Sequence, residues 1–170
     1  MSISLSGSVA VTGNLSFTGS AVSGGGTGSL SSGSSILIPS TLGSSPSVQG
    51  ILLTITAGVA ISVGNAVALN SNGICFPAIA SSSSSLMPAI GVAYASISSG
   101  SSGNVLIEGV MQYNSWSFST GSLLYVSDAT SGSLTTTEPS ASGDTIQIVG
   151  IVLNSTTILF MPNLGTITHS

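Results

Sequence analysis

The chain opens on a period of two. Ile3, Leu5, Gly7, Val9, Val11, Gly13, Leu15, Phe17, Gly19 and Ala21 fall on odd positions, and the even positions between them are mostly Ser, Thr or Asn. That alternation predicts an extended strand with one buried face and excludes a helix. A repeat of six lies inside it: Leu5-Ser-Gly-Ser-Val-Ala, Val11-Thr-Gly-Asn-Leu-Ser and Phe17-Thr-Gly-Ser-Ala-Val. Fully extended, the segment reaches roughly 60 Å at about 3.3 Å per residue. A single strand cannot cover its own apolar face, so Ile3, Leu5, Val9, Val11, Leu15 and Phe17 become candidate interface residues. Residues 1–22 are thus expected to form a β arm, and 23–49, with Gly24-Gly25-Gly26, a Gly/Ser-rich linker. Within the linker, Ile36-Leu37-Ile38-Pro39 has the look of a short edge strand stopped by proline.

From about residue 50 the grammar changes to short apolar runs bounded by Gly, Asn, Asp, Ser and Pro. Strands are predicted over 50–56, 66–70, 74–78, 89–95, 104–111, 123–127, 134–136, 145–153 and 157–161. No segment shows the 3.6-residue period of an amphipathic helix. Turns are predicted at Asn70-Ser71-Asn72-Gly73 and at 127–132. The two halves carry a weak duplication. Gly64, Val67-Ala68-Leu69, Gly73 and Ala89-Ile90-Gly91-Val92 correspond to Gly121, Leu124-Tyr125-Val126, Gly132 and Ile148-Val149-Gly150-Ile151, at offsets of 57 and then 59. The expected fold is all-β: an extended arm, then an antiparallel β-barrel or sandwich over 50–163, internally duplicated, with 164–170 as a tail.

Composition narrows the function. The chain has 170 residues, no Lys or Arg, four acids and one His, a net charge of −4. With no basic residue to neutralise phosphate, nucleic acid and anionic membrane surfaces are excluded as charge partners. The 39 Ser, 16 Thr and 22 Gly would suit a disordered linker, but 42% of residues are hydrophobic and the mean hydropathy is +0.65, so folding is expected. A folded surface with so little charge is poorly guarded against association, which implies that it meets other protein. No apolar run approaches the roughly 20 residues of a membrane-spanning helix. The first residues carry neither a basic region nor a long apolar core, so synthesis in a cytoplasm without export is expected.

Candidate chemistry is sparse. Cys75 is alone and reads as a small buried hydrophobe. His169, near the last residue, reads as an exposed tail side chain. Asp128 and Asp144 sit in Gly/Ser turns, where Asp bonds nearby backbone N–H groups. A calcium site built on them would need further carbonyl ligands, and the sequence has no Asp-x-Asp-x-Asp-Gly loop. Glu108 reads as a mid-strand edge acid and Glu138, before Pro139, as a solvated loop acid. No Gly-x-Ser-x-Gly elbow and no credible triad are present, so no catalytic residue, cofactor or metal is expected. The most site-like feature is Tyr113, Trp116 and Phe118, with Tyr125 nearby. It suits a subunit interface or the core, with a carbohydrate platform as the alternative.

Taken together, Ala57-Gly58, Ile61-Ser62, Gly64-Asn65, Val67, Leu69-Asn70-Ser71-Asn72-Gly73, Pro88-Ala89-Ile90-Gly91-Val92-Ala93 and Gly109-Val110 form a recognisable pattern. With its continuation through Tyr125-Val126-Ser127, Leu134-Thr135-Thr136, Gly143-Asp144, Gln147 and Val149-Gly150, it resembles a β module of tailed-phage virion proteins over about 51–163. The Val11-Thr-Gly-Asn-Leu-Ser repeat is similar to the shaft repeats of phage fibres. Where such modules commonly carry Lys and acids on outward strand positions, this chain has Ser, Ala or Thr. The resemblance implies a non-enzymatic capsid decoration (cement) or head-fibre protein on the virion surface, a homotrimer whose partner is the major capsid protein. Two other readings stay open: a tail-fibre adhesin binding host glycans through the aromatic cluster, and a self-assembling extracellular tube or surface-layer subunit.

Overall fold

The computed structural model describes residues 42, 43, 45–83 and 86–170. The alternating arm, with Ile3, Leu5, Val9, Val11, Leu15 and Phe17, lies outside the described residues, as do the triple glycine and Ile36–Pro39. Every regular element among the described residues is a strand. The first half contains β1 (Ser47–Thr56), β2 (Ala66–Leu69), β3 (Cys75–Pro77), β4 (Ala89–Ala93) and β5 (Ser102–Gln112). The second contains β6 (Leu123–Val126), β7 (Leu134–Thr135), β8 (Thr145–Ile146), β9 (Ile148–Asn154), β10 (Thr157–Phe160) and β11 (Ile167–Thr168).

One antiparallel sheet runs in the order β3-β2-β4-β5-β10-β9-β6-β7 and curls into a half-barrel. The order is palindromic about the β5–β10 pair, so each half supplies the same four-strand unit. Local geometry repeats as well. Gly64 and Gly121 have φ of 82° and 81°, and Gly73 and Gly132 have 73° and 78°. The β2–β4 ladder slips between Val67 and Ala68, and the β6–β9 ladder slips between the matching Leu124 and Tyr125. Gly64 N–H donates to Ala93 O at 2.7 Å, and Gly121 N–H to Val152 O at 2.8 Å. The duplication read from sequence is therefore a structural one.

The two ends of the curled sheet meet through loops rather than through a continuous ladder. Gly132 N–H donates to Ala78 O at 2.6 Å, Ala66 N–H to Gly132 O at 2.7 Å, and Ala80 N–H to Ser127 O at 2.9 Å. The expected all-β, antiparallel fold is present, in the form of a half-barrel. It leaves β1 as an added strand whose one strand neighbour among the described residues is β5.

The sheet buries side chains on both faces, which explains why its strands read as continuous apolar runs. Ala66, Ala68, Val92 and Leu106 join the main core with Met111, Leu124, Ile158 and Phe160. Their neighbours Val67, Ala93 and Val105 point the other way, into a smaller core closed by Ile55, Ile61, Cys75 and Ile97. Cys75 is a fully buried small hydrophobe, as expected.

Beyond shifts of one or two residues at strand ends, three features differ from expectation. β1 begins at Ser47, three residues early. The strand expected over 145–153 is interrupted at Gln147, whose buried side chain turns inward. Its Nε2 donates to Ala89 O at 2.9 Å and to Asn163 O at 2.8 Å, while its Oε1 accepts from Ala89 N–H at 2.8 Å. The C-terminal residues are not a free tail: Ile167 and Thr168 pair with Ile146 and Thr145, so β11 and β8 form a second small sheet.

Candidate interaction surface

The aromatic residues lie on the loop that follows β5. Tyr113 N–H donates to Thr156 O at 2.8 Å and Phe118 N–H to Ser155 O at 3.0 Å, so the loop is held along the β9–β10 turn. A tight turn, Trp116 N–H to Tyr113 O at 3.0 Å, brings the rings together. Tyr113 and Trp116 meet edge to face, 5.6 Å apart at 87°, and Trp116 and Phe118 lie 5.7 Å apart at 38°. All three are half-buried against the main core. Gly64 lies beneath them, where a Cβ would stand 3.1 Å from Tyr113 Cδ1 and 3.2 Å from Trp116 Nε1. A cleft of about 250 Å³ remains between Trp116, Phe118, Asn65 and Leu134. Tyr125 is buried separately, and its hydroxyl donates to Glu138 Oε2 at 3.2 Å.

A second concavity, of about 320 Å³, was not legible in the sequence. Leu53 of β1, Ile90 of β4, Ile107 and Glu108 of β5, and Met161, Pro162 and Leu164 line it. Leu53 stands opposite Val105, and Ile107 packs on the smaller core, so the groove continues the sheet face that this core only partly covers. Its walls carry much of the exposed apolar surface, with Met161 58% and Leu164 63% accessible. Ile51 and Leu52 stay exposed beside it on β1. Glu108 is the one charged group in the lining, and it too is exposed.

The remaining polar candidates have structural employment. Asp144 is buried, its Oδ1 accepting from Ser82 N–H and its Oδ2 from Ala141 N–H, each at 3.1 Å. In the 127–132 turn the side-chain bonds come from Ser127 rather than Asp128: Ser127 Oγ accepts from Ala129 N–H and Thr130 N–H, each at 3.1 Å. Asn70 Oδ1 does the same for Asn72 and Ile74 in the matching turn. His169 is not an exposed tail residue. It is half-buried, its N–H donates to Asp144 O at 2.8 Å, its carbonyl accepts from Gly143 N–H, and its Nδ1 is buried without a partner. Burial pushes the Cys75 thiol up from 9.0 to about 11, against a smaller lowering by the Phe76 backbone. No group of three or more His, Cys, Asp or Glu side chains stands together among the described residues.

The family model for phage cement protein matches residues 46–157, about two thirds of the chain. The chain belongs to this family, and so to the structural proteins of the phage virion. Against curated protein sequences no match is found. The matched span runs from the start of β1 into β10, and so takes in both halves of the duplication, the aromatic loop and most of the groove.

Proposed function

We propose that the protein is a non-enzymatic capsid decoration protein that binds the shell of the major capsid protein as a homotrimer and ties neighbouring capsomers together. The observation that carries this reading is the groove between β1, β4, β5 and 161–164, an open apolar surface on a chain with no Lys or Arg to keep it apart from other protein. Binding free energy would come from apolar burial and backbone hydrogen bonds, with little from charge. Glu108 suggests which partner the groove takes. Another copy of this chain offers no Lys or Arg to meet a carboxylate, whereas a shell protein can place a basic residue beside an apolar one. The family membership supports the virion location, and no cofactor enters the mechanism.

The test is to mix purified protein with bare capsids at moderate and high salt and count the copies bound. Hundreds of copies per particle, with binding that barely responds to salt, support decoration. A few to some tens point to a fibre, and a protein that ignores shells and polymerises alone points to a tube or surface layer. The aromatic cluster favours the adhesin less, because its three rings are packed on one another and on the main core.

A further inference from the structure

We infer that the open edge of β1 is a strand-accepting site, and that its occupant is the alternating segment 3–21 of a second copy of this chain. The edge has what an acceptor needs. β1 pairs along one side with β5 and has no other strand neighbour among the described residues. From Gln49 to Thr54 every residue is exposed, and the run Gly50-Ile51-Leu52-Leu53-Thr54 contains no charge and no proline. Proteins guard exposed edges with Lys, Pro, bulges or inward-pointing charge, and an unguarded apolar edge templates another strand. The β1–β5 ladder slips between Ile51 and Leu52, but the extra residue, Ile107, is on β5, so β1 itself runs without an inserted residue. Ile51 is 57% accessible, the most exposed large apolar side chain on the edge.

Segment 3–21 supplies the complementary half. Its sequence alternates apolar and polar residues with a period of two and is free of charge and proline, the pattern of a strand that needs a ladder and a cover. Residues 22–46, between the segment and the first residue of β1, span up to roughly 80 Å when extended, so the segment can reach the edge of a neighbouring copy in the proposed trimer. Its 19 residues exceed the ten of β1, so one edge takes about half of it. Passing each arm to the next copy in a ring gives a closed, head-to-tail trimer, and pairing with the chain's own edge is the outcome the test separates from it. The inference rests on the self-association proposed above but not on the shell, and its test uses no shell.

The test is disulfide trapping in the full chain, in a Cys75→Ala background. One preparation carries Ile51→Cys. Others carry Leu5→Cys, Val9→Cys, Val11→Cys, Leu15→Cys or Phe17→Cys, with Ser8→Cys and Ser16→Cys as even-position controls. The two kinds of chain, of distinguishable mass, are mixed, oxidised and resolved without reductant, so a mixed dimer reports an arm on a neighbour's edge. The expected result is mixed dimers from at least one odd position, several-fold above both controls. Hydrogen exchange on the unsubstituted chain is the second readout, with amides of 49–54 slowing several-fold as concentration rises into the oligomer. In further chains that carry Ile51→Cys together with one arm cysteine, linkage confined to single chains, with no mixed dimer, overturns the inference, as does a trimer with no linkage above controls and β1 exchange independent of concentration. That last outcome would leave the trimer itself standing.

Discussion

Single residues hold this fold together by satisfying the backbone at places where strands cannot. Gln147 is the clearest example: one buried amide closes both backbone groups of Ala89 and the carbonyl of Asn163, tying the first half of the duplication to the second. Gln147→Leu keeps the volume but strands those groups, and an unsatisfied buried backbone group costs about 1–3 kcal/mol. A loss of at least about 2 kcal/mol in urea unfolding is expected; a change below about 0.5 kcal/mol would show that the amide is dispensable. Gly109 faces Gly50 across β1 and β5, with φ of 139°, and a Cβ there would overlap the Gln49 carbonyl oxygen. Gly109→Ala is therefore expected to destabilise by at least about 2 kcal/mol or to detach β1, seen as faster hydrogen exchange at 49–54. Cys75 adds a pH dependence. The unfolded chain releases the thiol proton near pH 9.0 and the native state holds it to about 11, so the stability it contributes is complete below 9 and is lost as pH rises toward 11. Tyr125, raised chiefly by burial and further by the Glu138 bond and charge, adds the same sign at higher pH. Urea midpoints should fall between pH 8 and pH 10.5 in the natural sequence and fall less in Cys75→Ala; equal slopes would count against a buried thiol.

At the scale of elements, nine strands and two turns were legible because each strand is an apolar run between Gly, Asn, Ser or Asp, and that grammar is local. The duplication was legible because equal turns demand equal residues, Gly64 with Gly121 and Gly73 with Gly132. Its change of offset from 57 to 59 falls between the first strand of each unit, β2 or β6, and the turn that follows it. What stayed hidden is whatever depends on distant partners. The break at Gln147 exists because Ala89 and Asn163 call for an inward amide, and nothing in Thr-Ile-Gln-Ile-Val-Gly announces them. β11 is two residues long and exists because β8 presents a matching edge. The groove draws on β1, β4, β5 and 161–164, so its residues, unlike the adjacent Tyr113, Trp116 and Phe118, share no stretch of sequence. The β8–β11 pair makes its own prediction. Ending the chain at Gly165 removes both ladder partners and the two backbone bonds of His169 with Asp144 and Gly143. That truncation should lower stability by about 1–2 kcal/mol and speed amide exchange at Gly143 and Thr145, leaving exchange in β2 and β4 unchanged. Uniform acceleration across all strands would mean that the small sheet unfolds only with the whole.

The described residues form a pseudo-twofold half-barrel and the chain carries almost no charge, which bears on the association proposed for it. Attraction between exposed charges weakens when salt shortens the screening length from about 10 Å at 0.1 M to about 3 Å at 1 M. This chain has no Lys or Arg with which to build such attraction between copies. Apolar burial behaves in the opposite way, strengthened by excluded salts such as sulfate. The proposed trimer is therefore expected to keep its mass by light scattering between 0.05 and 1 M sodium chloride and to become harder to dissociate by dilution in sulfate. The proposed shell binding should differ from the proposed self-association in one respect. If Glu108 meets a basic residue of the shell, Glu108→Gln will weaken shell binding several-fold at low salt, leave the free oligomer unchanged, and lose that difference at high salt. A Glu108→Gln protein that loads shells like the parent at every salt concentration would remove the charge argument for the groove and leave only its apolar walls as the contact.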